Sequence, residues 1–113
     1  MEKGDRKLNQ DVILCVSNSY EKKYYLNEIF DGLPQRVKDE LKVMCVIFTE
    51  DVGGILELVF NDKGLLEITT KADEMDLLYD EIGSVLKVKQ IQSTKEELLE
   101  SLEMFYKVFS MEF

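Results

Sequence analysis

The stretch Ile55-Leu56-Glu57-Leu58-Val59-Phe60-Asn61-Asp62-Lys63-Gly64-Leu65-Leu66-Glu67-Ile68-Thr69 decides the fold. Two short apolar runs flank a polar tetrapeptide that ends in glycine, the pattern of a strand, a turn and a second strand. The twofold period of a strand puts Leu56, Leu58 and Phe60 on one face and Ile55, Glu57 and Val59 on the other. Upstream, Asp31-Gly32-Leu33-Pro34 is the clearest punctuation in the chain, and it predicts a helix start, because proline is tolerated where the first N–H groups have no partner. From there Val37, Leu41, Met44, Cys45, Phe48 and Val52 follow the helical period, and Gly53-Gly54 is the stop signal. The second half of that helix, 43–48, is apolar on nearly every side, which marks a central element or a subunit interface. A strand over 43–48 is the rival reading. Glu50 and Asp51 give it weight, because they oppose the dipole of a helix ending there.

Further upstream, Val12-Ile13-Leu14-Cys15-Val16 reads as a buried strand closed by Ser17-Asn18-Ser19, and Tyr20 to Leu26 reads as its hairpin partner. Tyr20, Tyr24 and Asn27 also fit a helical spacing. Residues 1–10 are polar and aperiodic and read as a mobile tail, leaving 11–113 as a single domain. Downstream, Asp73 is expected to open a helix whose stripe is Met75, Leu78, Tyr79, Ile82, Val85 and Leu86. Gly83 would weaken it by about 1 kcal/mol relative to alanine. Ser93 with Glu96, and Thr94 with Glu97, have capping-box spacing and predict a last helix with Leu98, Leu102, Phe105 and Phe109 inside. The fold class is therefore α+β: two β-hairpins forming one antiparallel sheet with about three helices, in the order ββαββαα. The two ββα halves correspond loosely in pattern, with too little identity for a repeat.

The composition narrows the function more by exclusion than by assignment. The 113 residues carry a net charge of −9, which repels phosphate backbones and anionic lipid and speaks against nucleic-acid or membrane binding. The same charge also fits a plain solvated surface. The two cysteines, Cys15 and Cys45, lie within apolar runs and read as reduced, buried thiols in a cytoplasmic protein. One pair does not make a secreted disulfide scaffold. No signal-peptide stretch and no apolar run long enough for a bilayer is present. There is no histidine, which removes Ser-His-Asp and Cys-His catalysis and histidine metal sites together. No phosphate-cradling glycine motif occurs. No cofactor is implied.

Two clusters stand out. Asp73, Asp76 and Asp80, with Glu74 and Glu81 nearby, would share a helical face and offer hard oxygens to Ca²⁺ or Mg²⁺. A solvated acidic face is the simpler account. Tyr20, Tyr24, Tyr25 and Phe30, with Phe109 and Phe113 in the apolar C-terminal segment, are candidate partner contacts, with packing inside the domain as the simpler account.

The runs Lys23-Tyr24-Tyr25-Leu26-Asn27, Leu33-Pro34, Phe48-Thr49-Glu50-Asp51-Val52-Gly53-Gly54 and Leu77-Leu78-Tyr79-Asp80-Glu81-Ile82-Gly83 resemble a family of small uncharacterised proteins from anaerobic Gram-positive bacteria, a domain of unknown function. The resemblance implies no activity, ligand or site residue. Three functional readings follow, in descending order. The first is a non-enzymatic protein-interaction or regulatory module that binds a protein partner or forms a homodimer. The second is a small-ligand or divalent-cation domain built on an acidic helix at 73–81. The third is a hydrolase working through paired carboxylates.

Overall fold

The computed structural model describes residues 11–111, so the expected tail at 1–10 and Phe113 lie outside the described residues. Four strands form a single antiparallel sheet in the order β2-β1-β3-β4: β1 Val12–Asn18, β2 Lys23–Leu26, β3 Ile55–Phe60 and β4 Leu66–Lys71. Three helices follow the hairpins: α1 Gln35–Val52, α2 Glu81–Thr94 and α3 Glu96–Met111. This is the α+β order expected from the patterning, with a short 3-10 turn, Glu28–Phe30, added before α1. The 43–48 segment is helical, which removes the rival strand. Leu41, Met44, Cys45, Phe48 and Val52 are buried along one face, while Val43 and Ile47 point outward. Asp51 at its C-terminal end is offset by Lys87, 3.0 Å away.

The register sets the inner face. Cys15 pairs with Leu58 and Leu26, Ser17 with Leu56 and Tyr24, and Leu58 with Ile68. Between Ile13 and Cys15 the register shifts, leaving Leu14 as the extra residue of a β-bulge. The bulge lets both Leu14 and Cys15 turn inward, and both are fully buried. Asn27 holds the bulge: its backbone N–H donates to the Leu14 carbonyl at 2.9 Å and its Nδ2 donates to the Ile13 carbonyl at 2.7 Å. α1 lies on the inner face and is tied to β1 by the buried Ser17–Thr49 hydroxyl pair at 2.8 Å. Cys15 and Cys45 face each other across the same contact, Sγ to Sγ 3.9 Å, as free buried thiols.

A second packing centre lies around Phe30, which is 0% exposed. Its ring centroid is 5.6 Å from that of Phe60 and 5.4 Å from that of Phe109, and Tyr106 stacks on Phe60 at 4.2 Å. Aromatic pairs at such separations add to the area they bury. They hold α3 against the sheet together with the buried Leu98 and Leu102.

The structure corrects three expectations. Tyr20 lies in the turn before β2, so the second strand is shorter than 20–26. Ser93 and Thr94 do not cap α3; both hydroxyls donate back to the Gln90 carbonyl, at 3.1 and 2.8 Å, and the chain breaks one residue later, at Lys95. No helix starts at Asp73: residues 72–80 are irregular and α2 begins only at Glu81.

Candidate functional site

The irregular segment 72–80 is built from carboxylates that take backbone donors. The Met75 N–H donates to Asp73 Oδ1 at 3.4 Å and the Leu78 N–H to Asp76 Oδ1 at 3.0 Å, two local turns of the kind that compete with helix. Asp80 then caps α2, accepting from the Gly83 N–H at 2.8 Å. Gly83 suits this arrangement, because a Cβ there would collide with the Asp80 carboxylate.

The segment is also fastened from outside. Tyr20 Oη donates to Asp76 Oδ2 at 2.6 Å and accepts from the Asp73 N–H at 2.9 Å, and the hydrogen bond to the Asp76 carboxylate raises the Tyr20 pKa. The Asp80 N–H donates to the Val52 carbonyl at 3.2 Å. The Tyr79 ring lies over Gly54, whose φ is +73°. A Cβ at Gly54 would stand 2.5 Å from the Lys71 carbonyl oxygen and 2.7 Å from Tyr79 Cε1, so only glycine fits both the backbone and these contacts. Tyr79 Oη also meets the buried Ser84 Oγ at 2.9 Å.

These fastenings leave the apolar side chains of the expected stripe facing solvent. Leu78 is 93% exposed, Met75 84% and Ile82 76%, and Val85 and Leu86 are also exposed; Leu77, outside the expected stripe, is 93% exposed as well. Ser84 is the buried residue of α2, and Tyr79 is the stripe member that packs on the core.

Next to this surface runs a groove of about 490 Å³ between α1 and α2. Met44, Phe48 and Ile91 form its floor, and Val43 and Ile47, both more than half exposed, form one wall. Two ion pairs close the rim, Asp51–Lys87 at 3.0 Å and Glu40–Lys95 at 3.2 Å. Their order along the chain makes α1 and α2 antiparallel, with the C-terminal end of α1 beside the 72–80 segment. A second hollow, of about 750 Å³, lies between the β3–β4 turn and α3, beside Ile29, Met104 and Tyr106.

The residues singled out from the sequence are scattered. Asp73, Asp76 and Asp80 are engaged in turns and a cap, and among the described residues no cluster of three or more acidic or cysteine side chains is arranged for a metal ion. Phe30 is enclosed in the core, and Tyr24 and Phe109 pack against it. Tyr20 anchors the 72–80 segment, and Tyr25 is exposed on the sheet face away from the helices. The Tyr24 hydroxyl is buried with no hydrogen-bond partner among the described residues, and burial pushes its pKa up. Cys45 is held as a thiol by its contact with Cys15 and by burial, which is the opposite of a nucleophile's environment. The surface residues that sequence reasoning missed are Leu77 and Leu78 as outward-facing groups, whereas Val43 and Ile47 belong to the 43–48 run whose apolar excess already marked a central element or an interface. The signal for the first two was the aspartate spacing, which builds turns as readily as it lines a helix.

Among the described residues no helix is long and apolar enough to cross a membrane. No curated protein and no solved structure matches the chain. Over residues 11–113 it matches the model of a family of unknown function, DUF6145, and it belongs to that family.

Proposed function

We propose that the protein is a non-enzymatic interaction module whose docking surface is the α1–α2 groove and the apolar segment beside it. One observation carries the reading: Met75, Leu77 and Leu78 are exposed on a segment that is fastened rather than loose. Ordering a segment costs conformational entropy, and holding leucines in water gains nothing for the folded monomer. A partner that covers them supplies the missing burial, and contiguous exposed apolar surface of this kind marks interaction sites. The thiols support the non-enzymatic part, since both are buried and Cys45 is kept protonated.

A photoreactive amino acid at Leu78, compared with one at the exposed Glu67 on the opposite sheet face, tests this in the cells that produce the protein. A discrete protein adduct from position 78 and none from position 67 is the expected result. Equal, diffuse labelling from both positions contradicts it.

A further inference from the structure

We infer that the occupant of the groove is a cationic amphipathic helix contributed by another protein, an inference that rests on the docking reading above. The groove lies between two antiparallel helices and is lined by residues of those helices and of the turn at Lys95, so it suits a helix laid against helices and not an added strand. The free strand edges belong to β2 and β4 and do not line the groove. Between its two ion pairs the groove runs from Glu40 to Asp51 on α1, which at the helical rise is about 16 Å, or three turns of an occupant. Its floor and wall, Met44, Phe48, Ile91, Val43 and Ile47, match anchors repeating every three or four residues.

Charge selects the sign of the occupant. The fastened segment holds five carboxylates and no cation between Asp73 and Glu81. Asp39 and Glu50 flank the Val43–Ile47 wall. The two lysines on the rim, Lys87 and Lys95, are each already paired with an acid. Within the groove lining Asp39 and Glu40 balance Lys87 and Lys95, so the negative excess lies at the end of the groove, on the 73–81 segment beside the C-terminal end of α1. A second copy would bring a chain of the same net charge, −9, and the same acidic excess to this surface, so like charge opposes self-association here. A helix with an apolar stripe and lysines or arginines along its flanks satisfies both the stripe and the acids.

The test titrates the full-length, isotopically labelled protein with two synthetic helices about four turns long. They share one apolar face and carry either lysine and arginine or glutamate on the flanks. The cationic helix is expected to bind, to shift amides of α1 around Val43 and Ile47 and of α2, and to bind on the order of tenfold more tightly than the acidic one. Ile47→Ser, at a half-exposed site, should weaken binding, and Glu74→Lys should weaken it at an exposed position outside any helix or strand. Equal binding of both helices at these amides overturns the cationic class and leaves the docking surface standing. Failure of the cationic helix to bind overturns the inference. A concentration-dependent dimer whose shifts map to Ile47 and Leu86 then identifies a second copy as the occupant. Diffuse labelling from position 78 in cells is the separate result that removes the docking reading itself.

Discussion

The two ends of the helical layer are built on opposite terms. Around Phe30, aromatic side chains from the 3-10 turn, β3 and α3 enclose one another, and Leu98 and Leu102 are buried beside them. Around α2 the polarity is reversed: a serine is buried, and Ile82, Val85 and Leu86 face water. Both regions are ordered, but different forces order them. The first is held by apolar burial; the second packs only Tyr79, Val88 and Ile91 on the core and is otherwise fastened by backbone N–H groups that donate to carboxylates, a tyrosine hydroxyl and a backbone carbonyl. The difference separates a region that keeps the domain folded from one that presents a surface.

That contrast can be broken most forcefully at Phe30. Phe30→Ala should cost about 3–5 kcal/mol, the range for emptying a large buried aromatic site, seen as a lower urea midpoint; a loss under about 1 kcal/mol would deny the Phe30 centre its role. The next effect is expected at Gly54. Gly54→Ala puts a Cβ at positive φ against both the Lys71 carbonyl oxygen and the Tyr79 ring and should cost about 1–3 kcal/mol. Hydrogen exchange at the Asp80 amide, which donates to the Val52 carbonyl, should accelerate together with that loss. Unchanged exchange would show that Tyr79 does not fasten the segment.

A smaller effect appears at alkaline pH. Cys45 and Tyr24 are held neutral above their ordinary values of 9.0 and 10.0, Cys45 by its contact with Cys15 and by burial, Tyr24 by burial. Once the pH passes those values, the unfolded chain has lost protons that the folded chain retains, so stability is complete below about pH 9 and falls as pH rises further. Cys45→Ala should flatten part of that slope. A slope identical in the two proteins would assign it to other groups.

The hairpins and α1 were legible because their burial follows a simple period. Leu56, Leu58 and Phe60 alternate, and Leu41, Met44, Cys45, Phe48 and Val52 keep one helical face. The 73–86 stripe has helical spacing too, and it misled because periodicity reports what a helix would bury and not whether one forms. Asp73 and Asp76 offer backbone N–H groups an alternative partner in two local turns, and Asp80 then caps the helix, so it starts only at Glu81. Ser93 and Thr94 misled for a related reason, since a hydroxyl with capping spacing can equally donate back to the preceding turn. The Phe30 cluster was invisible to local reading because its members come from elements far apart in the chain. The pairing of β1 with β3 places Phe60 beside Val12, and α3 returns Tyr106 and Phe109 to the same place.

The central claim is that Met75, Leu77, Leu78, Ile82, Val85 and Leu86 are held out for a partner and do not belong to the fold, in contrast to Tyr79 among them. Urea unfolding of the double variant Leu78→Ser, Leu86→Ser measures this most directly. Both side chains are largely solvated, so the free energy of unfolding should stay within about 0.5 kcal/mol of the parent. A loss of about 2–5 kcal/mol, the range for truncating packed leucines, would show that these residues are core and would contradict the account.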